Sequence, residues 1–137
     1  FVALCSDEPR LLAAILRFAY LFSLQLADTL VSSVRDSVEV RLCRWILMFH
    51  DRLVDDELPI THDILATLLG VRRATVTDAL HILEGERLVI CTRGRIIVRS
   101  RGAMQARVGR TYGHAERAYT TLIAPFGKSS PALAMAD

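Results

Sequence analysis

The stretch from Thr61 to Leu83 constrains the fold of this chain more than any other. Thr61 can cap a helix, and Asp63 in the first turn complements the helix dipole. Ile64, Leu65, Leu68 and Leu69 then recur at helical spacing, with small Ala66 between them. Gly70 breaks the pattern and Val71 follows as an apolar turn residue. A second helical pattern starts near Arg72 or Arg73 and runs through Val76, Leu80 and Leu83. Two short helices joined by a glycine turn, with a small residue where they cross, predict a helix-turn-helix. After Glu84, Leu88–Cys91 reads as a strand, Arg93-Gly94 as a tight turn, and Arg95–Arg99 as the return strand. A hairpin directly after such a motif makes a winged helix, here with Arg93, Arg95, Arg99 and Arg101 on or near the wing.

Charge singles out the same half of the chain. Residues 1–69 hold six Arg against ten Asp and Glu, a balance of −4. Residues 70–128 hold ten Arg and Lys128 against Asp78, Glu84, Glu86 and Glu116, a balance of +7. A basic block after an acidic one points to a polyanion partner for the second half. Arginine, with its planar fork, suits phosphates and guanine edges better than lysine does. A helix that enters the major groove of duplex DNA does so by its first turns. Arg73, Ala74, Thr77 and Asp78 are therefore the candidate base contacts, while Val76, Leu80 and Leu83 face the core. Arg73 can donate two hydrogen bonds to a guanine, Ala74 can touch a thymine methyl, and Thr77 can reach a base or sugar. Thr61, His62, Arg72, Thr75, Arg93 and Arg95 are the candidate backbone contacts that set register.

The flanks complete a mainly α fold: a long dimerisation helix, then a winged helix-turn-helix domain with a small β-hairpin. Pro9, preceded by Asp7 and Glu8, opens a helix that runs to about Val34. Leu12, Ile15, Ala19, Phe22 and Leu26 form a seam of the coiled-coil kind along it, with a second apolar flank at Leu11, Phe18 and Leu21. Such a helix needs cover on more than one side, from a second copy of the chain or from an upstream domain. A second helix spans about Ser37 to Leu53, with Val38, Leu42, Trp45, Phe49 and Leu53 on one face and Trp45 as a core anchor. Asp55-Asp56-Glu57 reads as a solvated loop before the short extended piece Leu58-Pro59-Ile60. A final helix covers about Ser100 to Ile123, with Met104, Val108, Tyr112, Ala115, Tyr119 and Leu122 on one stripe and Gly109 and Gly113 weakening it. The expected division is a dimerisation helix over 1–36, the winged domain over 37–123 and a disordered tail over 124–137. Because the sequence opens on Phe1 and not on methionine, an upstream part is expected.

Other classes find little support. Cys5, Cys43 and Cys91 are odd in number and far apart, so neither zinc-site nor disulfide arithmetic works, and reduced thiols in a cytoplasmic protein are expected. The four histidines show no metal-ligand spacing. Phe18 to Ala27 is apolar but bounded by Arg17 and Asp28; ten uncharged residues fall short of the roughly 20 of a membrane span. No arrangement of nucleophile, base and phosphate-cradling glycines marks an enzyme. A winged-helix module for protein interaction or oligomerisation, without DNA binding, is the rival reading, and the arginines of the basic half weigh against it.

From about Val38 to Val98 the chain resembles the C-terminal half of Crp/Fnr-type transcriptional regulators. The resemblance lies in Ser37-Val38-Glu39-Val40-Arg41-Leu42, in Ile60-Thr61, and in Leu69-Gly70-Val71-Arg72-Arg73-Ala74-Thr75-Val76-Thr77. It continues through Ile82-Leu83-Glu84, Leu88-Val89-Ile90 and Arg93-Gly94-Arg95, without a gap from Ile60 to Val98. It implies a DNA-binding homodimer joined through the helix at about Pro9 to Val34, and an upstream cyclic-nucleotide-binding-like domain of unknown effector. No cofactor is implied for this chain; double-stranded DNA, a second copy and RNA polymerase are the implied partners. Two departures stand out. Where many members follow the recognition arginine with Glu and, four residues on, Arg, this chain has Ala74 and Asp78. Arg72 replaces the usual small polar cap, so the second helix is expected to start without that help.

Overall fold

The computed structural model describes residues 8–128. Its elements are α1 (Pro9–Arg35), α2 (Val38–His50), β1 (Glu57–Leu58), α3 (His62–Leu69), α4 (Arg73–Gly85), β2 (Val89–Thr92), β3 (Arg95–Val98), α5 (Arg101–Val108), a 3-10 turn (Gly109–Thr111) and α6 (His114–Leu122). The architecture is the mainly helical, winged one that the sequence predicts. Cys5 and Asp7, with residues 129–137 of the expected tail, lie outside the described residues.

The core gathers around α2. Leu42, Cys43, Ile46 and Leu47 are fully buried, against Leu65 and Leu69 of α3, Val76, Leu80 and Leu83 of α4, Ile96 of β3 and Met104 of α5. The buried stripe of α2 is thus not the expected one. Of that face only Leu42 is buried, while Val38, Trp45, Phe49 and Leu53 are half-buried at the margin of the cluster. α2 is apolar around more than half its circumference, and periodicity alone cannot say which stripe a neighbour covers. Cys43 is buried and Cys91 half-buried, and burial pushes both thiols up to about 12. Both therefore stay protonated and poorly nucleophilic at neutral pH.

Three expectations need correction. The wing is a three-stranded antiparallel sheet in the order β1-β3-β2. Glu57 pairs with Ile97 and Leu58 with Ile96, so the supposed loop at Glu57 is an edge strand, and the Asp56 carbonyl accepts from Val98 N–H at 2.9 Å. The helix expected over Ser100–Ile123 is broken: Gly109 (φ +62°) and Gly113 (φ +96°) adopt conformations closed to other residues, and the chain turns between them. The tail does not come loose at residue 124. Phe126 packs its ring 4.7 Å from that of Tyr119, and Lys128 Nζ donates to the Asp56 carboxylate at 2.6 Å and the Asp55 carbonyl at 2.9 Å.

α1 is 27 residues long, with Pro9 in its first turn. The Ser23, Thr29 and Ser33 hydroxyls fold back onto carbonyls one turn earlier, as Thr29 does to Gln25 at 2.6 Å. By length and composition it is long and apolar enough to cross a membrane. The ten-residue limit set by Arg17 and Asp28 was too strict, because uncharged residues extend the stretch beyond both. Leu21 and Ser32 are buried against the rest of the chain, whereas Leu12, Phe22 and Leu26 are 40%, 53% and 54% exposed.

Candidate nucleic-acid interface

The motif is built as a rigid corner. The Thr61 side chain accepts from Ile64 N–H at 3.3 Å and caps α3. At the other end, Gly70 takes the left-handed conformation (φ +66°), which lets Val71 N–H donate to the Ala66 carbonyl at 3.1 Å and turns the chain. Arg41 of α2 donates to the Leu69 carbonyl at 2.5 Å, holding this corner on the core. α4 starts immediately after. Its cap residue Arg72 offers no side-chain hydrogen bond, as the missing polar cap predicts. At its far end Glu84 accepts from Cys91 N–H at 2.6 Å, fastening the recognition helix to the wing.

This corner leaves one helix end open to solvent. Arg72, Arg73, Ala74 and Asp78 are exposed, and Thr75 is half-buried. Arg73 Nε lies 3.5 Å from Asp63 Oδ1 across the α3–α4 junction, both side chains about two-thirds exposed. Its two terminal nitrogens have no partner among the described residues. Thr77 sits deeper: half-buried, its hydroxyl meets His62 Nδ1 at 3.0 Å and donates to the Arg73 carbonyl at 3.2 Å. Thr77 and His62 thus stitch the two helices together, and a nucleic acid would have to displace that contact to use either. Arg93 at the wing tip is exposed, as is Arg99. Arg95 is exposed as well but pairs with Glu57 at 2.5 Å.

Arg101, expected near the wing, turns inward. It donates to Asp51 at 2.6 Å, to the Tyr112 hydroxyl at 2.7 Å and to His50 Nδ1 at 3.0 Å. Tyr112 donates its own hydroxyl to Asp51. His50 Nε2 donates to Asp56 at 2.8 Å, and burial lowers the His50 pKa against the pull of that carboxylate. Burial, with the Asp51 carboxylate, likewise raises the Tyr112 phenol. Every member of this network lies where sequence spacing gives no warning. It joins His50, Asp51 and Asp56 to Arg101 and Tyr112 through bonds that span 50 or more residues of sequence.

Residues 40–107 match the family of Crp-like helix-turn-helix domains. The chain carries a Crp-like helix-turn-helix domain over these residues. Such a Crp-like domain belongs to transcription regulators and not to an enzyme class. Among solved structures, a Crp/Fnr-family transcriptional regulator of Eubacterium rectale is similar at 25% identity and a TM-score of 0.56, over 58% of this chain and 37% of that one. A Crp-family regulator of Thermus thermophilus shares the fold at 17% identity and a TM-score of 0.54, over 62% of this chain and 47% of that one. The catabolite activator protein of Thermus thermophilus aligns at 26% identity and a TM-score of 0.49, over 78% of this chain and 50% of that one. The chain therefore spans half or less of the length of these structures. Comparison with curated proteins gives no match. The Crp-like match ends at residue 107, so α6 and the segment to Lys128 are additional to it.

Proposed function

We propose that this chain binds duplex DNA sequence-specifically as a homodimeric, cytoplasmic transcription regulator, with α4 in the major groove and the wing on the backbone. The observation that carries this reading is the open N-terminal turn of α4. Arg73 projects there with Asp63 beside its Nε, which leaves the terminal nitrogens to grip a guanine edge. Ala74 flanks it with a methyl group, suited to a thymine methyl, and Asp78 follows one turn on, suited to a cytosine amino group. Arg72 and Arg93 supply cations on either side for phosphates. Thr61 and Thr75 border the same face, while Arg95 reaches DNA only by exchanging Glu57 for a phosphate.

Selection of bound duplexes from a random pool, followed by fluorescence anisotropy on the winning site, tests this. Binding should weaken with salt, each neutralised phosphate adding about 0.9 to the log–log slope. Arg73→Ala should cost roughly 1–3 kcal/mol on the selected site and relax preference at one base pair. If it weakened binding to all sequences equally, Arg73 would be a backbone contact and the assigned geometry would be wrong. A chain that selects no duplex would sink the reading altogether.

A further inference from the structure

The segment beyond the Crp-like match joins two parts of the molecule that otherwise barely touch. α1 packs chiefly on α6 and the 3-10 turn, not on α2. Between α1 and α2 there remains instead a cavity of about 350 Å³ lined by residues that include Phe22, Leu26, Trp45 and Phe49. Polar contacts fix the packed side. Arg44, 3% exposed, donates Nε to the Thr111 carbonyl at 2.6 Å and a terminal nitrogen to the Gln25 carbonyl of α1 at 3.5 Å. The Thr111 hydroxyl donates to Asp36 at 3.1 Å, and His114 sits 3.5 Å from Asp28. Ala115 is buried beside Leu21.

The same segment is anchored in the winged domain at both ends. Tyr112 bonds Asp51 and Arg101 at the start. At the finish, Phe126 lies beneath the Arg52 guanidinium, 5.3 Å from ring centre to carbon, and Lys128 pairs with Asp56 at 2.6 Å. Gly127 passes so close to Asp51 that a Cβ there would stand 2.6 Å from its carboxylate. The segment is thus held to the winged domain fore and aft, and bears α1 in the middle.

We propose that residues 109–128 are a clasp that fixes the direction of α1 relative to α4, and so sets the spacing between the two DNA half-sites the dimer accepts. This rests on the dimeric DNA-binding reading above. Without the clasp, α1 is held to the domain by the extended pair Asp36-Ser37 and by the Arg44 contact to the Gln25 carbonyl at 3.5 Å, and the extended torsions of that pair leave it free to swing about this one long contact. Half-sites on DNA lie about 34 Å apart, one helical turn. A swing of about 10° on a lever of roughly 25 Å moves a recognition helix by ~4 Å, more than the ~3.4 Å of one base step. A fixed α1 therefore selects one spacing, and a loose one tolerates several.

Ala115→Glu drives a charged wedge between α6 and α1 at a residue outside the main core cluster. His114→Ala is the milder partner variant. The full 137-residue chain is titrated with duplexes carrying one half-site, and with two half-sites separated by spacers that differ in single base pairs. The clasped protein should lose on the order of 100-fold in affinity when the spacer is wrong, because the second contact can no longer form. In Ala115→Glu this spread should shrink to within about tenfold, with single half-site affinity unchanged, and His114→Ala should fall between. A variant that keeps the wild-type spacing preference overturns the clasp. Loss of single half-site binding in Ala115→Glu also overturns it, since the contact would then support the domain fold. A wild-type chain that binds a half-site but shows no spacing preference overturns both the clasp and the dimer, while one that binds neither duplex overturns the DNA-binding reading as well.

Discussion

His50 lies at the end of α2 with its side chain 2% exposed, and both ring nitrogens are committed. Nδ1 accepts from Arg101, so it carries no proton, and Nε2 donates to Asp56. Protonating the ring would turn Nδ1 into a donor facing a guanidinium. Burial first, and then the nearby Lys128 and Arg101 cations, hold His50 below its ordinary value of about 6.5 against the pull of Asp56. The sign follows from linkage. Below about pH 6.5 the unfolded chain takes up a proton that the folded chain resists, so the stability carried by neutral His50 is present above that pH. It is lost as pH falls through the depressed folded value. Thermal unfolding followed by circular dichroism should give a lower midpoint at pH 5.5 than at pH 7.5. His50→Gln, neutral at both, should shrink that difference. An undiminished difference in the variant would place the titrating group elsewhere.

Single elements show why part of the fold could be read from the chain and part could not. Gly70 and Gly102 look alike as letters but not as conformations. Gly70 needs its left-handed backbone to turn α3 into α4, whereas Gly102 sits inside α5 with open space where a Cβ would go. Gly70→Ala should therefore destabilise the domain by about 1 kcal/mol, and Gly102→Ala should stabilise it by roughly 0.5 kcal/mol. Urea unfolding checks both, and equal signs would refute the distinction. The motif was legible because Thr61, Gly70 and the apolar spacing each encode a local event: a cap, a turn, a periodic face. Arg73 was legible for the same reason, since exposure at a helix start follows from position alone. Glu57-Leu58 escaped notice as a strand because two residues carry no period, and only β3 beside them makes them one. The inward turn of Arg101 and the ties of His62 to Thr77 depend on partners distant in sequence, which spacing cannot report. α2 lay between these cases, correctly a helix yet assigned the wrong buried stripe.

At the scale of the whole molecule, the unfinished business is α1. Leu16, Phe18, Tyr20, Phe22, Leu26, Leu30 and Val34 each stand more than half exposed along it, with the Phe18 and Phe22 rings 6.3 Å apart. A stripe of that size invites cover. Of the expected seam, Leu12, Phe22 and Leu26 are exposed and Ile15 is half-buried, so it is largely free to meet a second copy of the chain. The opposite side of α1 is already taken by α6, and a helix pinned to a polar domain along one face presents only the other face to a partner. Burying a large apolar side chain contributes about 1.5–3 kcal/mol. Phe22→Asp with Leu26→Asp removes two such side chains from each of two subunits, a loss on the order of 6 kcal/mol or more, which weakens dimerisation by four decades or beyond. Sedimentation of the double variant should show a monomer at concentrations where the parent chain is a dimer, and it should still bind a single half-site duplex. A variant that remains dimeric would move the interface off this seam. Recovery of the parent chain only with membranes, and of the double variant free of them, would mean that the apolar face of α1 meets lipid and not a second copy of itself.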